Sequence, residues 1–324
     1  MLLQKPNLVI YGDVLTEVFA KIQSMPKLGQ DSLVNDLTIL PGGSAANCAA
    51  ISAKLGTQVS FIGISGRDLF GAMLRQDLVQ HGVNVKHLRH VDGSTATVIT
   101  LIDPSAERTF FSFRGVAALL PYGPLPNPVL GPDDILHISG YSFQTTHSRQ
   151  TALDLIETAR QVGARVSIDP SFHFASKVVT EYPNVLSLDY FFPNQEEAFL
   201  ITQTQDSTQA ASRLLEIGIK TVLLKLGAAG CLVAHEKRSF QFDAFPQERI
   251  IDTTGAGDAF AAGFLSAILK GCALEEAALV GQATASVIIT KVGGHTAAPT
   301  KQNLIDFANK NKDKKLLDAL AQME

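Results

Sequence analysis

Residues 252–258 read Asp252-Thr253-Thr254-Gly255-Ala256-Gly257-Asp258, and they run directly into AFAAGFLSAIL, Ala259–Leu269. A small, glycine-rich turn here opens an apolar helix. The first turn of a helix leaves backbone N–H groups without intrahelical acceptors, and the helix dipole adds partial positive charge. Gly255, Ala256 and Gly257 have no bulk to hold a phosphate away from those groups. An acidic side chain at the same place repels a bare phosphate. Asp258 therefore suits another task, accepting the proton of an incoming hydroxyl beside the phosphate being transferred. The plainer alternative is a helix N-terminus whose first-turn Asp stabilises the dipole. The string is not a Walker A loop, because no GxxxxGK[ST] occurs in the chain, and Phe260 stands where a dinucleotide fingerprint needs its third glycine.

Outward from this turn, β-rich runs alternate with helical periodicity. Strands are expected at Leu8–Tyr11, Val59–Ile62, Ile135–Ile138, Val166–Ile168, Leu188–Phe192 and Thr221–Leu226. Helices are expected at Ser44–Leu55, Asp68–His81, His147–Val162, Gln195–Ile201, Ser207–Ile217, Ala256–Leu269, Leu274–Lys291 and Lys301–Leu320. This alternation predicts an α/β fold with a mainly parallel sheet, whose ligand site lies at the carboxyl ends of the strands. Two stretches break it. Residues 14–40 and 95–114 are β-rich with no helix between, and predict a small separate sheet inserted in the core. Leu120–Pro132 is a proline-rich loop.

Composition narrows the function. Hydrophobic residues make up 46% of the 324 positions and charged ones 18%, which supplies a packed core and argues against disorder. A net charge of −4 argues against a nucleic-acid surface, so any phosphate must be gripped locally. Cys48, Cys231 and Cys272 are far apart and odd in number, and fit a reducing cytoplasm better than a disulfide or zinc framework. The longest apolar helical run is about half the ~20 residues a membrane span needs, so no membrane association is expected. His81, His137, His147, His173 and His235 show no metal-ligand spacing and read as structural.

The string at 252–258 resembles the second signature of the ribokinase-like carbohydrate kinases, the phosphofructokinase B family. Pro41-Gly42-Gly43-Ser44-Ala45-Ala46-Asn47 resembles the first signature, and Gly66-Arg67-Asp68-Leu69-Phe70-Gly71 the GxDxxG segment. Asn194-Gln195-Glu196-Glu197 resembles the NxxE motif, Lys225-Leu226-Gly227-Ala228-Ala229-Gly230 the nucleotide-side turn, and Val292-Gly293-Gly294 with Pro299 the closing segment. These matches fall in the family's order over nearly the whole chain.

The resemblance implies one ribokinase-like domain over residues 1–324, with a β-sheet lid over a sugar site and a homodimer through that lid. It implies an ATP-dependent sugar kinase that passes the γ-phosphoryl of MgATP to a pentose or ketohexose. Asp258 is then the base, and Gly255, Ala256 and Gly257 the anion hole. Gly42, Gly43 and Asn47 meet the sugar; Glu17, five residues after Gly12, is placed first as the hydroxyl-binding carboxylate and the adjacent Asp13 second. Arg108 or Arg114 reaches the substrate from the lid. Lys225, Gly227, Gly230 and Gln282 lie along the nucleotide. Asn194 and Glu197 organise Mg²⁺ through water, and Asp252 and Thr254 belong to a stretch that can hold K⁺. For several of these positions a plainer alternative stays open: a capping box for Asn194 and Glu197, a solvated strand-end lysine for Lys225, an inert helix-face Gln282. Asp169-Pro170-Ser171-Phe172-His173 lacks the Asn and Arg of the sugar-acid kinases. A nucleoside kinase predicts an aromatic platform, for which Phe19, Phe110, Phe111 and Phe113 are available. A catalytically silent sugar-binding protein predicts a damaged 252–258 string, and it is intact.

Overall fold

The computed structural model describes residues 7–105, 107–119, 122–123, 129–247 and 249–323. Of the proline-rich loop, residues 120–121 and 124–128 lie outside the described set.

The chain begins with β1 (Asn7–Tyr11), whose Leu8, Val9 and Ile10 are wholly buried, as a strand covered on both faces requires. Next come β2 (Leu15–Ile22), β3 (Val34–Gly42), α1 (Ser44–Lys54), β4 (Gln58–Gly66), α2 (Leu69–Gln80) and β5 (Asn84–Val91). They are followed by β6 (Thr97–Ile102), β7 (Arg108–Phe113), α3 (Gly115–Leu119), β8 (Ile135–Ser139), α4 (Thr146–Val162), β9 (Arg165–Asp169) and α5 (Phe172–Glu181). The second half holds β10 (Tyr190–Phe191), α6 (Gln195–Thr202), α7 (Ser207–Glu216), β11 (Thr221–Lys225), β12 (Cys231–His235) and β13 (Arg238–Phe242). Four helices close the chain: α8 (Ala256–Leu269), α9 (Leu274–Ile288), α10 (Lys301–Asn311) and α11 (Lys314–Gln322).

The large sheet has the order β13-β12-β11-β10-β9-β8-β1-β4-β5. It is parallel except for β12 and β13, which add an antiparallel hairpin at one edge. Each face of the sheet buries its own hydrophobic cluster. One is built with α1, α8 and α9, the other with α4, α5, α6 and α7. The small sheet has the order β3-β2-β6-β7, with one parallel pair, β2 with β6. Its strands come from the two β-rich interruptions. Asp68 ties it to the core: its carboxylate caps α2 through Gly71 N–H and accepts from both the N–H and the hydroxyl of Thr95, just ahead of β6.

Two local expectations change. The strand expected over Leu188–Phe192 is only Tyr190–Phe191: at its start Leu188 N–H turns back to Leu186 O, and at its end Pro193 has no N–H to donate. The helix expected over Lys301–Leu320 is two. Lys312 turns into the left-handed region at φ 54°, and the Asp313 side chain caps a new helix at Leu316 N–H. β5, the β12–β13 hairpin and the helices α3 and α5 are additions to the sequence reading. No helix among the described residues is long and apolar enough to cross a membrane.

Candidate active site

Two helix N-termini, those of α1 and α8, converge beyond the carboxyl ends of β1, β9 and β11. Between them lies a cavity of about 470 Å³. Its lining includes Asp13, Glu17, Gly43, Asn47, Lys225, Thr254, Gly255, Gly257 and Asp258, residues far apart in the chain. Val98, Phe110 and Ser112 of the small sheet form its opposite wall.

Asp258 sits in the first turn of α8, and α1 holds it at both oxygens. Ser44 Oγ donates to Oδ1 at 2.8 Å, and Asn47 Nδ2 donates to Oδ2 at 2.8 Å. Burial and the neighbouring Asp169 carboxylate push its pKa up to about 7, against the pull of those two donors and Lys225. A carboxylate so adjusted is a stronger base than an ordinary Asp. Burial and the charges of Asp258, Asp252 and Asp13 likewise push Glu17 up to about 7. Glu17 Oε2 is buried with no partner among the described residues, an unmet acceptor facing the space where a hydroxyl would lie. Gly42 packs beside this carboxyl: a Cβ there would lie 2.7 Å from Glu17 Cδ.

The N-terminus of α8 is narrower as an anion hole than the three-residue expectation. Ala256 N–H already donates to the Thr253 carbonyl at 3.2 Å. Among the described residues, Gly255 and Gly257 N–H have no acceptor, and no side chain caps the helix. Gly255 needs to be glycine twice over. Its φ is 75°, and a Cβ would lie 2.5 Å from Gly294 O. A Cβ on Gly257 would lie 3.0 Å from Lys225 Nζ, so the ammonium group stands directly over the turn.

Lys225 is not the solvated strand-end lysine that the sequence left open. Its Nζ donates to Asp169 Oδ1 at 2.6 Å, deep between β9 and β11. Burial opposes its charge, but Asp169, Glu197 and Asp258 together hold its pKa above the ordinary value. One ammonium thus faces three carboxylates. Glu197 is itself pushed up to about 7, chiefly by burial. Such an excess of acid in a half-closed site is a donor set suited to a cation. The capping box also exists. Asn194 N–H donates to Glu197 Oε2 at 2.8 Å, and Glu197 N–H donates to Asn194 Oδ1 at 2.9 Å, which leaves Oε1 of Glu197 uncommitted to the cap.

Several expected residues meet other partners or lie outside this cavity's lining. Arg108 does not line the cavity; its Nη2 donates to Asp252 Oδ1 at 3.3 Å, and it is Arg114 that lines the pocket. Asp252 also receives Thr254 N–H, Thr254 Oγ1 and Gly293 N–H. Burial alone would raise its pKa, but these donors hold it below the usual carboxylate range. Among the described residues, Asp252 Oδ2 receives only the Gly293 N–H, and Thr254 Oγ1 donates to Oδ1 and keeps its lone pairs. Gln282 points to the β13 edge, where Nε2 donates to Phe242 O at 3.3 Å. Gly227 and Gly230 form the turn between β11 and β12, outside the cavity lining. Asp13 lines the cavity but also serves α1, accepting from Ser44 N–H at 3.0 Å and from Ala45 N–H at 3.5 Å. Of the four phenylalanines, only Phe110 lines the cavity.

Sequence reasoning missed four contributors. Asp169 was seen only as part of a departure from another motif, yet its place at the end of β9 was a legible signal. Ser44 was quoted only as part of the 41–47 string with no role of its own, and Tyr141, which lines the cavity, carried no signal. His295 lies in the closing segment and bonds both Asn47 and Asp77. His81, read as an isolated histidine, stands edge-on to His295 with ring centroids 5.2 Å apart. His137 is structural: Ser167 Oγ lies 2.9 Å from its Nδ1, and burial together with the Lys225 charge lowers its pKa to about 3.

Comparison with known proteins agrees with this geometry. Residues 5–301 match the pfkB family carbohydrate kinase. A ribokinase of Haemophilus influenzae is 28% identical, over 94% of this chain and 98% of its own length. A fructokinase of Salmonella typhimurium is 32% identical, over 82% and 90%. The structure superposes on a fructokinase double mutant of Vibrio cholerae O395, solved with fructose, ADP and a potassium ion bound. The TM-score is 0.79 at 25% identity, covering 94% of this chain and 98% of that one.

Proposed function

This chain belongs to the pfkB family of carbohydrate kinases, phosphotransferases with an alcohol group as acceptor, and we propose that it transfers the γ-phosphoryl of MgATP to a hydroxyl of an unphosphorylated pentose or ketohexose. The observation that carries the reading is Asp258 held by Ser44 and Asn47 beside an uncapped helix N-terminus, at the floor of a polar cavity. Asp258 takes the proton as the acceptor oxygen bonds to the γ-phosphorus and the bond to the ADP oxygen breaks. Gly255 and Gly257 N–H groups and Lys225 stabilise the charge on the transferring group. Mg²⁺, when bound with the nucleotide, neutralises phosphate charge; Glu197 and Asn194 are the residues placed to orient its water.

The acceptor is read from charge. Asp13, Glu17, Asp169 and Asp258 outnumber Lys225 and Arg114 in the cavity wall. Carboxylates accept from sugar hydroxyls and repel a second phosphate, which favours free sugars over sugar phosphates. The small sheet acts as a lid that keeps water from the nucleotide. Its β6 and β7 residues Val98, Phe110 and Ser112 face the cavity, so Ile99, Phe111 and Phe113 project from the other face by strand alternation. With Ile39 and Leu37 they leave an exposed apolar row, which supports a homodimer through the lid. Three free, buried thiols suit a reducing, cytoplasmic setting. A potassium requirement is supported by the Vibrio fructokinase, which was solved with a potassium ion bound, and here Asp252 and Thr254 would belong to the stretch that holds it.

The test is a coupled ADP-release assay with ribose, fructose, tagatose 6-phosphate and purine nucleosides, in KCl and in NaCl. Turnover is expected with a free sugar. Turnover confined to a sugar phosphate or a nucleoside overturns the acceptor reading; for a nucleoside, Phe110 would be the stacking wall.

A further inference from the structure

A hydrogen-bonded chain of four side chains runs from the outside of α2 to the reacting centre. Asp77 Oδ2 lies 2.8 Å from His295 Nε2, His295 Nδ1 lies 2.7 Å from Asn47 Oδ1, and Asn47 Nδ2 lies 2.8 Å from Asp258 Oδ2. His295 is only 1% exposed and Asn47 3%. We propose that His295 is a positioning residue for phosphoryl transfer: anchored by Asp77, it locks the Asn47 amide with its NH₂ end turned to Asp258. The proposal rests on the reading of Asp258 as the base.

The physical argument concerns the two ends of an amide. Asn47 is similar in shape whichever way its amide points, so sterics alone do not choose between them. In the observed orientation the NH₂ donates to the Asp258 carboxylate, which stays free to take a proton on its remaining lone pairs. Turned over, the amide oxygen would face Asp258 Oδ2. That contact holds only if Asp258 is already protonated, and a protonated Asp258 cannot act as a base. His295 settles the choice: its Nδ1 stands 2.7 Å from Asn47 Oδ1, so a proton on Nδ1 is donated to the amide oxygen and would meet the NH₂ group of a turned-over amide without an acceptor. On the other side of the ring, Nε2 contacts the Asp77 carboxylate, which fixes the imidazole in place.

The surroundings preserve this order. The Asn47 amide lies flat against Gly294, where a Cβ would come within 2.3 Å of Nδ2 and 2.5 Å of Oδ1. The same Gly294 abuts Gly255, so one glycine of the closing segment shapes both the base's support and the phosphate turn. Asp77, His81 and His295 are also close enough together to hold a metal ion. Here, however, His295 Nε2 contacts Asp77 directly, and His81 Nδ1 lies 2.9 Å from the Asp77 carbonyl oxygen, so the positions an ion would use are filled by hydrogen bonds.

The experiment compares His295→Ala, His295→Gln and Asp258→Asn in the full chain, with melting temperature as the fold control. His295→Ala is expected to lower kcat about 10- to 100-fold with KM for ATP and acceptor little changed. His295→Gln keeps an N–H for Asn47 and is expected to recover most of the loss. In an Asn47→Ala background, His295→Ala should cost no further kcat, since its effect passes through Asn47. Should His295→Ala fail to fold, the ring of the intact enzyme is read instead by ¹⁵N NMR, where Nδ1 should carry a proton. A folded His295→Ala enzyme with near-normal kcat, an undiminished loss in the Asn47→Ala background, an Nδ1 without a proton, or one equivalent of divalent metal in the purified protein each overturns the proposal. Turnover surviving in Asp258→Asn would instead remove the base, which separates the two failures.

Discussion

The N-termini of α1 and α8 face one cavity, and they differ in who satisfies them. At α1 the protein supplies its own anion: the Asp13 carboxylate accepts the N–H groups of Ser44 and Ala45. At α8, among the described residues, no side chain caps the helix, and Gly255 and Gly257 N–H have no acceptor. Leaving a helix end uncapped costs about 1 kcal/mol of stability. The protein accepts that cost at α8 and not at α1. The difference teaches which end is built for structure and which for a ligand's charge. α1 is then free to use its first turn differently, sending Ser44 and Asn47 across to hold Asp258.

The largest expected effect tests the residue that joins the two helices. Asp258→Asn should keep the fold and lower kcat by about 10²- to 10⁴-fold in an ADP-release assay. Next comes the uncapped end. Gly257→Ala brings a methyl to Lys225 Nζ at the phosphate turn and should lower kcat about 100-fold, while circular dichroism stays native. If Gly257→Ala were silent, α8 would be an ordinary helix start and the contrast would fail.

A smaller effect follows from acidity. Asp258 in the free enzyme sits near 7, so kcat/KM should fall about tenfold per pH unit below that value and level off above it. The same shift has a stability consequence. Its folded pKa lies above the unfolded one, so the folded state holds the proton longer, and stability is lost as pH rises from about 4 through about 7. Asp258→Asn should therefore raise the melting temperature at pH 8 by about 2 °C or more, and leave it nearly unchanged at pH 4 in differential scanning calorimetry. The smallest effect belongs to α1. Asp13→Ala removes a cap and should cost about 1 kcal/mol in urea unfolding, with a raised KM for the acceptor and kcat changed less than in Gly257→Ala. A larger loss of kcat there would erase the distinction between the two ends.

Much of this was legible before any coordinates. Alternating runs such as Leu8–Tyr11 and Ser44–Leu55 predicted the parallel sheet, and the β-rich interruptions predicted a second, smaller one. Elements that fell short did so for local reasons. The turn at Leu186–Leu188 shortens the start of β10, and Lys312 in the left-handed region splits the last helix, neither of which disturbs hydrophobic periodicity. At the site, contiguous motifs were readable because one turn does the work: 252–258 opens α8, and 41–47 opens α1. What escaped was pairwise. Nothing in the sequence says that Arg108 meets Asp252, that Lys225 meets Asp169, or that His295 stands between Asn47 and Asp77.

The sequence by itself determined the alternation of strand and helix, the glycine-rich starts of α1 and α8, and the family those starts signify. Each depends on residues a few positions apart, where backbone geometry and side-chain bulk act directly. Only the tertiary structure decided the charge states and the partners. Those depend on which groups are desolvated together, and Asp13, Asn47, Asp169, Lys225, Asp258 and His295 come together only when the strand ends and helix starts are assembled around one cavity.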